Sequence, residues 1–395
     1  MLIHLICAAR PNFMKIAPLY HALKKEDWAD PYIVHTGQHY DLNMSDAFFV
    51  DLGLPNPDIN LGVGSGTHAE QTGKVMIAYE KVLTEQRPDL VVVVGDVNST
   101  VACTLAASKV TYVSSQYNGR RTTDNGRGLR PLVAHLEAGL RSFDRTMPEE
   151  INRLVTDALA DILWTPSPDA DENLIHEGVS PEKIGRVGNI MIDSLEMLRE
   201  KIEKQNVYHD FDLKPKNYGL VTLHRPSNVD DPEVLKRLCK ALVQIAKKIP
   251  LVFPIHPRTR KNLEKNQLFS LLKKAKGLFL PNPMSYIRFM NVVFNCRLVI
   301  TDSGGIQEET TYLGIPCLTV RPNTERPVTI SQGTNQLCEV KDLEDKTEAI
   351  ISGRILQANK IEYWDGKTAN RIVEFLRNLR QARPGATSQE HYHAL

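Results

Sequence analysis

The sequence predicts an α/β protein of two doubly wound domains, and three observations carry that prediction. Its 395 residues are too many for one core, because single cores stop growing at roughly 250–300 residues. Short apolar runs alternate with helix-length segments along both halves, as in parallel strands joined by crossover helices. Several runs, such as LVVVVG at 90–95, are continuously apolar rather than alternating. That suits strands covered by helices on both faces.

In the first half, strands are expected at 2–7, 31–35, 90–95, 132–136 and 162–165, with helices at 68–86, 99–109 and 148–160. In the second half, strands are expected at 219–223, 251–255, 278–280, 297–301 and 316–320, with helices at 230–248 and 305–313. The boundary is expected near 187, giving a first domain of 1–187 and a second of 188–365, with 190–205 as a connecting helix. A last helix at 366–382 carries Ile372, Val373, Phe375 and Leu376, and is expected to pack back on the first domain. Residues 114–130 are polar and rich in Gly and Arg. Strand crossings usually take only a few residues, so this stretch reads as an inserted, exposed loop.

Apolar residues make up 42% of the chain and charged ones 24%, and 48 basic residues nearly balance 47 acidic ones, for a net charge of +1. Nothing here favours nucleic acid or a membrane surface as partner. The six cysteines form no C-x-x-C pair and read as buried, reduced thiols. The apolar start meets Arg10 and Pro11 too early for a secretory leader, and no apolar run is of bilayer length. The expected location is the cytoplasm. There is no G-x-G-x-x-G after the first strand, no Walker A motif and no H-E-x-x-H spacing, so no cofactor or metal is expected.

The candidate chemistry sits where strands end. Strand 297–301 runs into Asp302-Ser303-Gly304-Gly305, with a helix expected to begin near Ile306. Paired glycines let a ligand approach the backbone, and the free N–H groups of a helix start favour an anion such as pyrophosphate. Glu308 and Glu309 are expected in the first turn, where one of them could reach a ribose diol; complementing the helix dipole is the competing explanation.

Gly95-Asp96 follows another buried strand, with Asn98 or Ser99 available to cap the next helix. Glu137 follows the strand 132–136, and Glu149 and Glu150 stand behind Pro148 at a helix start. Asp96, Glu137 and Glu149 thus come from sheet-edge loops of one domain, and are expected to converge for acid/base work. Arg10, and Lys15 at a helix start, leave the first strand and suit a phosphate or sugar oxygen; His224 and His256 occupy equivalent strand exits in the second half.

These motifs, in this order, resemble the UDP-N-acetylglucosamine 2-epimerase family. The match spans nearly the whole chain: Ala9-Arg10-Pro11, Thr36-Gly37-Gln38-His39-Tyr40, GDVNST, HLEAGLRS, MPEEINR, LHRPSN, TDSGGIQEE and Thr324-Glu325-Arg326-Pro327. The resemblance implies two Rossmann-like domains of the GT-B type with the active site in a cleft between them, a UDP-sugar substrate and a homodimer. It implies that Ser303, Gly304 and Gly305 hold the diphosphate, Glu309 the ribose and Phe289 the uracil, with Arg326 and His256 lining the nucleotide site. Arg10, Lys15, Asp96, Glu137 and Glu149 would face the sugar, with His224 opposite them.

The implied reaction converts UDP-GlcNAc to UDP-ManNAc, with the non-hydrolysing type favoured over a hydrolysing one. A modified sugar such as a 2,3-diacetamido uronate, or a glycosyltransferase on the same fold, are the alternatives. Gln38, His39, Gln71 and Lys74 are the candidates for a second, allosteric UDP-sugar site. Tyr40 stands where allosteric bacterial members carry arginine, which weakens the case for that regulation.

Overall fold

The computed structural model describes residues 1–37, 51–112, 123–124, 127–128, 130–354 and 359–381. They form two compact units, Met1–Met197 with the chain from Glu362 onward, and Leu198–Ile361.

The first unit is built on strands β1 (Leu2–Cys7), β2 (Asp30–His35), β3 (Ile59–Asn60), β4 (Leu90–Val94), β5 (Leu132–Leu136), β6 (Ile162–Thr165) and β7 (Ile184–Arg186). They lie in the order β3-β2-β1-β4-β5-β6-β7, and every pairing is parallel. Helices α1 (Arg10–Leu23), α2 (His68–Gln86), α3 (Asn98–Lys109), α4 (Pro148–Leu159) and α5 (Pro168–His176) make the crossovers. All five residues of β4 are buried. Each such side chain contributes roughly 1.5–3 kcal/mol by leaving water, which is why this strand has no polar face.

The second unit repeats the plan with β8 (Gly219–Thr222), β9 (Leu251–Val252), β10 (Leu278–Phe279), β11 (Leu298–Thr301), β12 (Cys317–Thr319) and β13 (Asn335–Leu337). Its parallel order is β10-β9-β8-β11-β12-β13. The two doubly wound sheets are those the alternating pattern predicts.

The division falls inside α6 (Ile190–Glu203) rather than at 187. The beginning of α6 is tied to the first unit: the Ser194 hydroxyl donates to the Met14 carbonyl, and Asp193 accepts from the N–H groups of Thr368 (3.1 Å) and Ala369 (2.8 Å). Its end is tied to the second, where Asn291 Nδ2 donates to the Ile202 carbonyl at 2.9 Å. The expected helix 230–248 forms as α7 (Pro232–Ala246), and Pro226–Val229 is a separate short turn before it. Pro232 cannot continue a helix but suits a first position, and Asp231 caps it by accepting from Glu233 N (2.8 Å) and Val234 N (3.0 Å).

The short strands β3, β7 and β13 have no apolar run to announce them. Within the expected loop 114–130, Thr123–Asp124 and Arg127–Gly128 form an antiparallel pair. The last helix, Thr368–Gln381, lies in the first unit, with Phe375 edge-on to Trp164 at 6.1 Å between ring centroids. Among the described residues no helix is long and apolar enough to cross a membrane. All six cysteines are buried and free.

Candidate active site

Strand register sets the first half of the site. Val94 of β4 pairs with Leu136 of β5, so Gly95-Asp96 and Glu137 leave the sheet side by side. Gly95 has φ +64°, and a Cβ there would lie 2.8 Å from Lys15 Nζ. Only glycine gives both the turn and the room for that lysine. Lys15 lies inside α1, not at its start, and its Nζ is 2.5 Å from Glu137 Oε2. Both residues are buried. Glu137 adopts φ +73°, a left-handed backbone that costs a non-glycine residue roughly 1–3 kcal/mol and persists where the surroundings over-determine it. Its other oxygen, Oε1, is buried with no hydrogen-bond partner among the described residues, so within them the turn presents one paired and one unpaired carboxylate oxygen.

Asp96 is ion-paired with Arg153, a buried residue that sequence reading passed over although it closes the MPEEINR motif. Arg153 also holds Glu150 at 2.5 Å. Glu150 accepts from Ser142 N (3.0 Å), Ser142 Oγ (3.0 Å) and Phe143 N (2.9 Å). Burial alone would raise its carboxyl, but these bonds and the Arg153 charge outweigh that and hold it below the usual range. Glu149 is exposed in the first turn of α4. The structure therefore gathers Lys15, Glu137 and the Asp96 turn, and ties in Glu150; Glu149 adjoins the network through that neighbour.

Neither Asn98 nor Ser99 caps α3, whose cap position is Val97. Asn98 Nδ2 instead donates to Gln71 Oε1 at 2.8 Å, and its Oδ1 faces His68 Nδ1 at 3.1 Å. Ser99 Oγ shares a hydrogen bond with Thr36 Oγ1 at 2.8 Å. Gln71 is thus buried against the Asp96 loop, while Lys74 on the same helix is exposed. Gln38, His39 and the Arg10 side chain lie outside what the structure describes.

In the second unit Thr222 of β8 pairs with Thr301 of β11, bringing the His224 and Asp302 exits together. Asp302 is fully buried and accepts from the backbone N–H groups of His224 (3.0 Å) and Arg225 (2.9 Å) and from Asn228 Nδ2 (3.1 Å). His224 Nδ1 is 3.2 Å from Asp302 Oδ1, and its ring lies 5.5 Å from that of His256. His256 caps α8 (Pro257–Lys265) through Nδ1, which accepts from Arg258 N at 3.2 Å. Burial, then the charges of His224 and Arg258, lower its pKa.

Helix α10 (Gly304–Tyr312) begins two residues earlier than the sequence suggests, with Ser303 at its cap position. Ser303 makes no side-chain cap bond there. A Cβ on Gly304 would lie 2.5 Å from Glu325 Oε1, whereas one on Gly305 would meet nothing within 4 Å. The first glycine is needed for packing; the second leaves open space over the helix start, the geometry that suits an anion.

The earlier start also moves Glu308 and Glu309 out of the first turn and into the interior. Glu308 pairs with Arg326 at 2.8 Å, and Arg326 also holds Glu325 at 3.0 Å. Burial pushes Glu325 up, but Arg326 and Arg321 prevail and hold it at about 2. Arg326 is thus committed to two acids of its own unit. Glu309 accepts from Tyr286 Oη at 2.7 Å. Burial pushes the Glu309 carboxyl up to about 7; the Tyr286 bond opposes this and the Glu308 charge adds to it. Tyr286 opens α9 (Tyr286–Asn295), one turn before the half-buried Phe289. Residues three apart share a helix face, a signal that could have found Tyr286 once Phe289 was singled out.

Comparison with known proteins bears on this arrangement. The family model described as UDP-N-acetylglucosamine 2-epimerase matches residues 21–129 and 125–377. A UDP-N-acetylglucosamine 2-epimerase of Methanocaldococcus jannaschii is 42% identical over 95% of this chain and 99% of its own. A UDP-2,3-diacetamido-2,3-dideoxy-D-glucuronate 2-epimerase of Pseudomonas aeruginosa is 36% identical over 95% of this chain and 99% of its own. A crystal structure of the M. jannaschii UDP-GlcNAc 2-epimerase in complex with UDP-GlcNAc and UDP superposes with a TM-score of 0.81 at 41% identity, covering 96% of this chain and 100% of that one. The fold is accordingly of the GT-B type, and the chain belongs to the UDP-N-acetylglucosamine 2-epimerase family, a family of isomerases.

Proposed function

We propose that this protein interconverts UDP-GlcNAc and UDP-ManNAc by eliminating UDP across C1–C2 and adding it back. The C2 proton is not beside a carbonyl, so direct abstraction is difficult, and no redox cofactor is expected from the sequence. In elimination a base takes the C2 proton, the C–H electrons form the C1=C2 bond of a 2-acetamidoglucal, and the C1–O bond breaks to release UDP. Re-addition returns UDP to C1 and a proton to the opposite face of C2. The observation that carries this reading is Glu137, a buried carboxylate with one oxygen on Lys15 and the other unpartnered among the described residues.

Glu137 is assigned as the base at C2. Asp96 and Glu149 are the partner acids for the opposite face, and His224 assists the leaving group. Ser303, Gly304 and Gly305 hold the diphosphate, with Glu309 on the ribose, Phe289 on the uracil, and Arg326 and His256 lining the nucleotide site. Arg10 and Lys15 face the sugar. The first unit, including its last helix, is assigned the sugar chemistry and the second unit the UDP, in a cytoplasmic homodimer. The 36% identity to the diacetamido-glucuronate enzyme supports a second reading, the same chemistry on a modified sugar.

Incubation with UDP-GlcNAc in D₂O, followed by NMR, tests the proposal. Deuterium at C2 with UDP-ManNAc appearing supports it. Free ManNAc with UDP means that the glucal is released and the enzyme hydrolyses. Unchanged UDP-GlcNAc, with turnover of the diacetamido uronate, selects the modified sugar.

A further inference from the structure

Behind the two acid-bearing turns of the first unit lies a chain of polar side chains, buried up to its last member. His135 sits in the middle of the sheet, on β5, and is fully buried. Its Nε2 is 2.8 Å from the Gly95 carbonyl and its Nδ1 is 2.5 Å from Asp157 Oδ1. The other oxygen of Asp157, on α4, accepts from Gly139 N at 3.0 Å and pairs with Arg141 at 2.7 Å. Arg141 in turn grips Glu177 at 2.6 Å. Burial raises the Asp157 carboxyl, but the His135 and Arg141 charges prevail and keep it below the usual range.

Burying His135, Asp157 and Arg141 is costly unless each is satisfied. A strand residue here needs only bulk, as its apolar neighbours on β5 show. What His135 adds is a fixed donor to one carbonyl, and that carbonyl belongs to the residue before Asp96. The same dyad holds the N–H of Gly139, two residues after Glu137. One rigid unit thus reaches the turn of each acid.

We propose that the His135–Asp157 dyad is a positioning device for the reaction, with His135 Nε2 fixing the Gly95 carbonyl and thereby the Asp96 and Glu137 turns relative to each other. This rests on the epimerase reading above. The two nitrogens allow a selective test. In His135→Gln the amide nitrogen falls near the place of Nε2 and keeps a donor for Gly95. In His135→Asn it falls near Nδ1, keeps the Asp157 contact and loses the Gly95 contact.

Steady-state rates with UDP-GlcNAc should show kcat down about 30–100-fold in H135N, the size of loss expected when reacting groups shift by about 1 Å. H135Q should lose only about threefold, and KM should stay within about twofold in both. Asp157→Asn is isosteric, leaves His135 an acceptor and should cost about tenfold in kcat at unchanged KM; it is the readout if H135N does not fold. Equal kcat in H135N and H135Q, losses that track melting temperature, or wild-type kcat in D157N would overturn the positioning role. If the wild-type enzyme itself fails to turn over UDP-GlcNAc while binding UDP, the substrate reading falls. The positioning role is then decided by crystal structures of the two His135 variants, where an unmoved Gly95-Asp96 turn in H135N overturns it.

Discussion

The two units carry an aspartate at the same point of the same topology, just beyond the fourth strand of a sheet ordered 3-2-1-4, and use it in opposite ways. Asp96 follows β4, keeps its side chain 34% exposed and meets a single guanidinium. Asp302 follows β11, is fully buried and is consumed by the backbone of the neighbouring exit. The surroundings follow suit. Around Asp96 the chain spends strain and buried charge on fixing side chains at the strand exits: a left-handed Glu137, its lysine, and the Arg153–Glu150 pair. Around Asp302 the charges face inward and neutralise one another, leaving a bare helix start at Gly305. One sheet edge presents carboxylate and lysine side chains; the other presents the N–H groups of a helix start. This is the division expected if one binds a leaving group that must be released intact while the other moves protons.

The sharpest way to break this contrast is at Glu137. Glu137→Gln keeps the shape and removes the base, so kcat should fall roughly 10²–10⁴-fold while UDP binding by calorimetry stays as in the wild type. A parallel loss of UDP affinity would mean that the two edges do not divide the work.

Next in size is a pH effect confined to the second unit. Glu309 titrates near its ordinary 4.5 in the unfolded chain and near 7 when folded. Below pH 4.5 both states keep the proton and burial carries no penalty. As pH rises toward 7 the unfolded chain releases its proton first, and the folded state loses about 3 kcal/mol relative to it. Glu309→Gln should therefore melt higher than the wild type at pH 8, with the gap closing by pH 4.5 in paired thermal scans. A gap independent of pH would show that the carboxyl does not titrate this way.

The smallest effect belongs to the helix start. Ser303→Ala removes one hydroxyl donor from a site otherwise made of backbone. The loss should be one neutral hydrogen bond, about 0.5–1.5 kcal/mol, seen as a roughly 3–10-fold weaker UDP affinity with kcat little changed. Unchanged affinity would remove the hydroxyl from the anion site.

Much of this was legible before any coordinates. Apolar runs such as 90–95 and 297–301 announce buried parallel strands because a strand covered on both faces has no polar side to show, and glycine pairs and acids clustered at their ends mark the exits where ligands bind in such sheets. Aspartate and proline at 231–232 mark the start of the helix expected at 230–248, as cap and first position.

What the order of residues determined by itself was therefore local and repetitive: two doubly wound sheets, their strand exits and the motifs on them. Tertiary structure decided how adjacent acids are partnered. Glu150 is held by Arg153 and Glu308 by Arg326, while Glu149 is left exposed and Glu309 is buried against the Tyr286 hydroxyl. It also decided that His135, silent in the middle of an apolar strand, reaches a carbonyl 40 residues away in sequence. Neighbouring side chains on a helix or strand point in different directions by geometry alone, but which direction meets a charge is settled only when the elements pack.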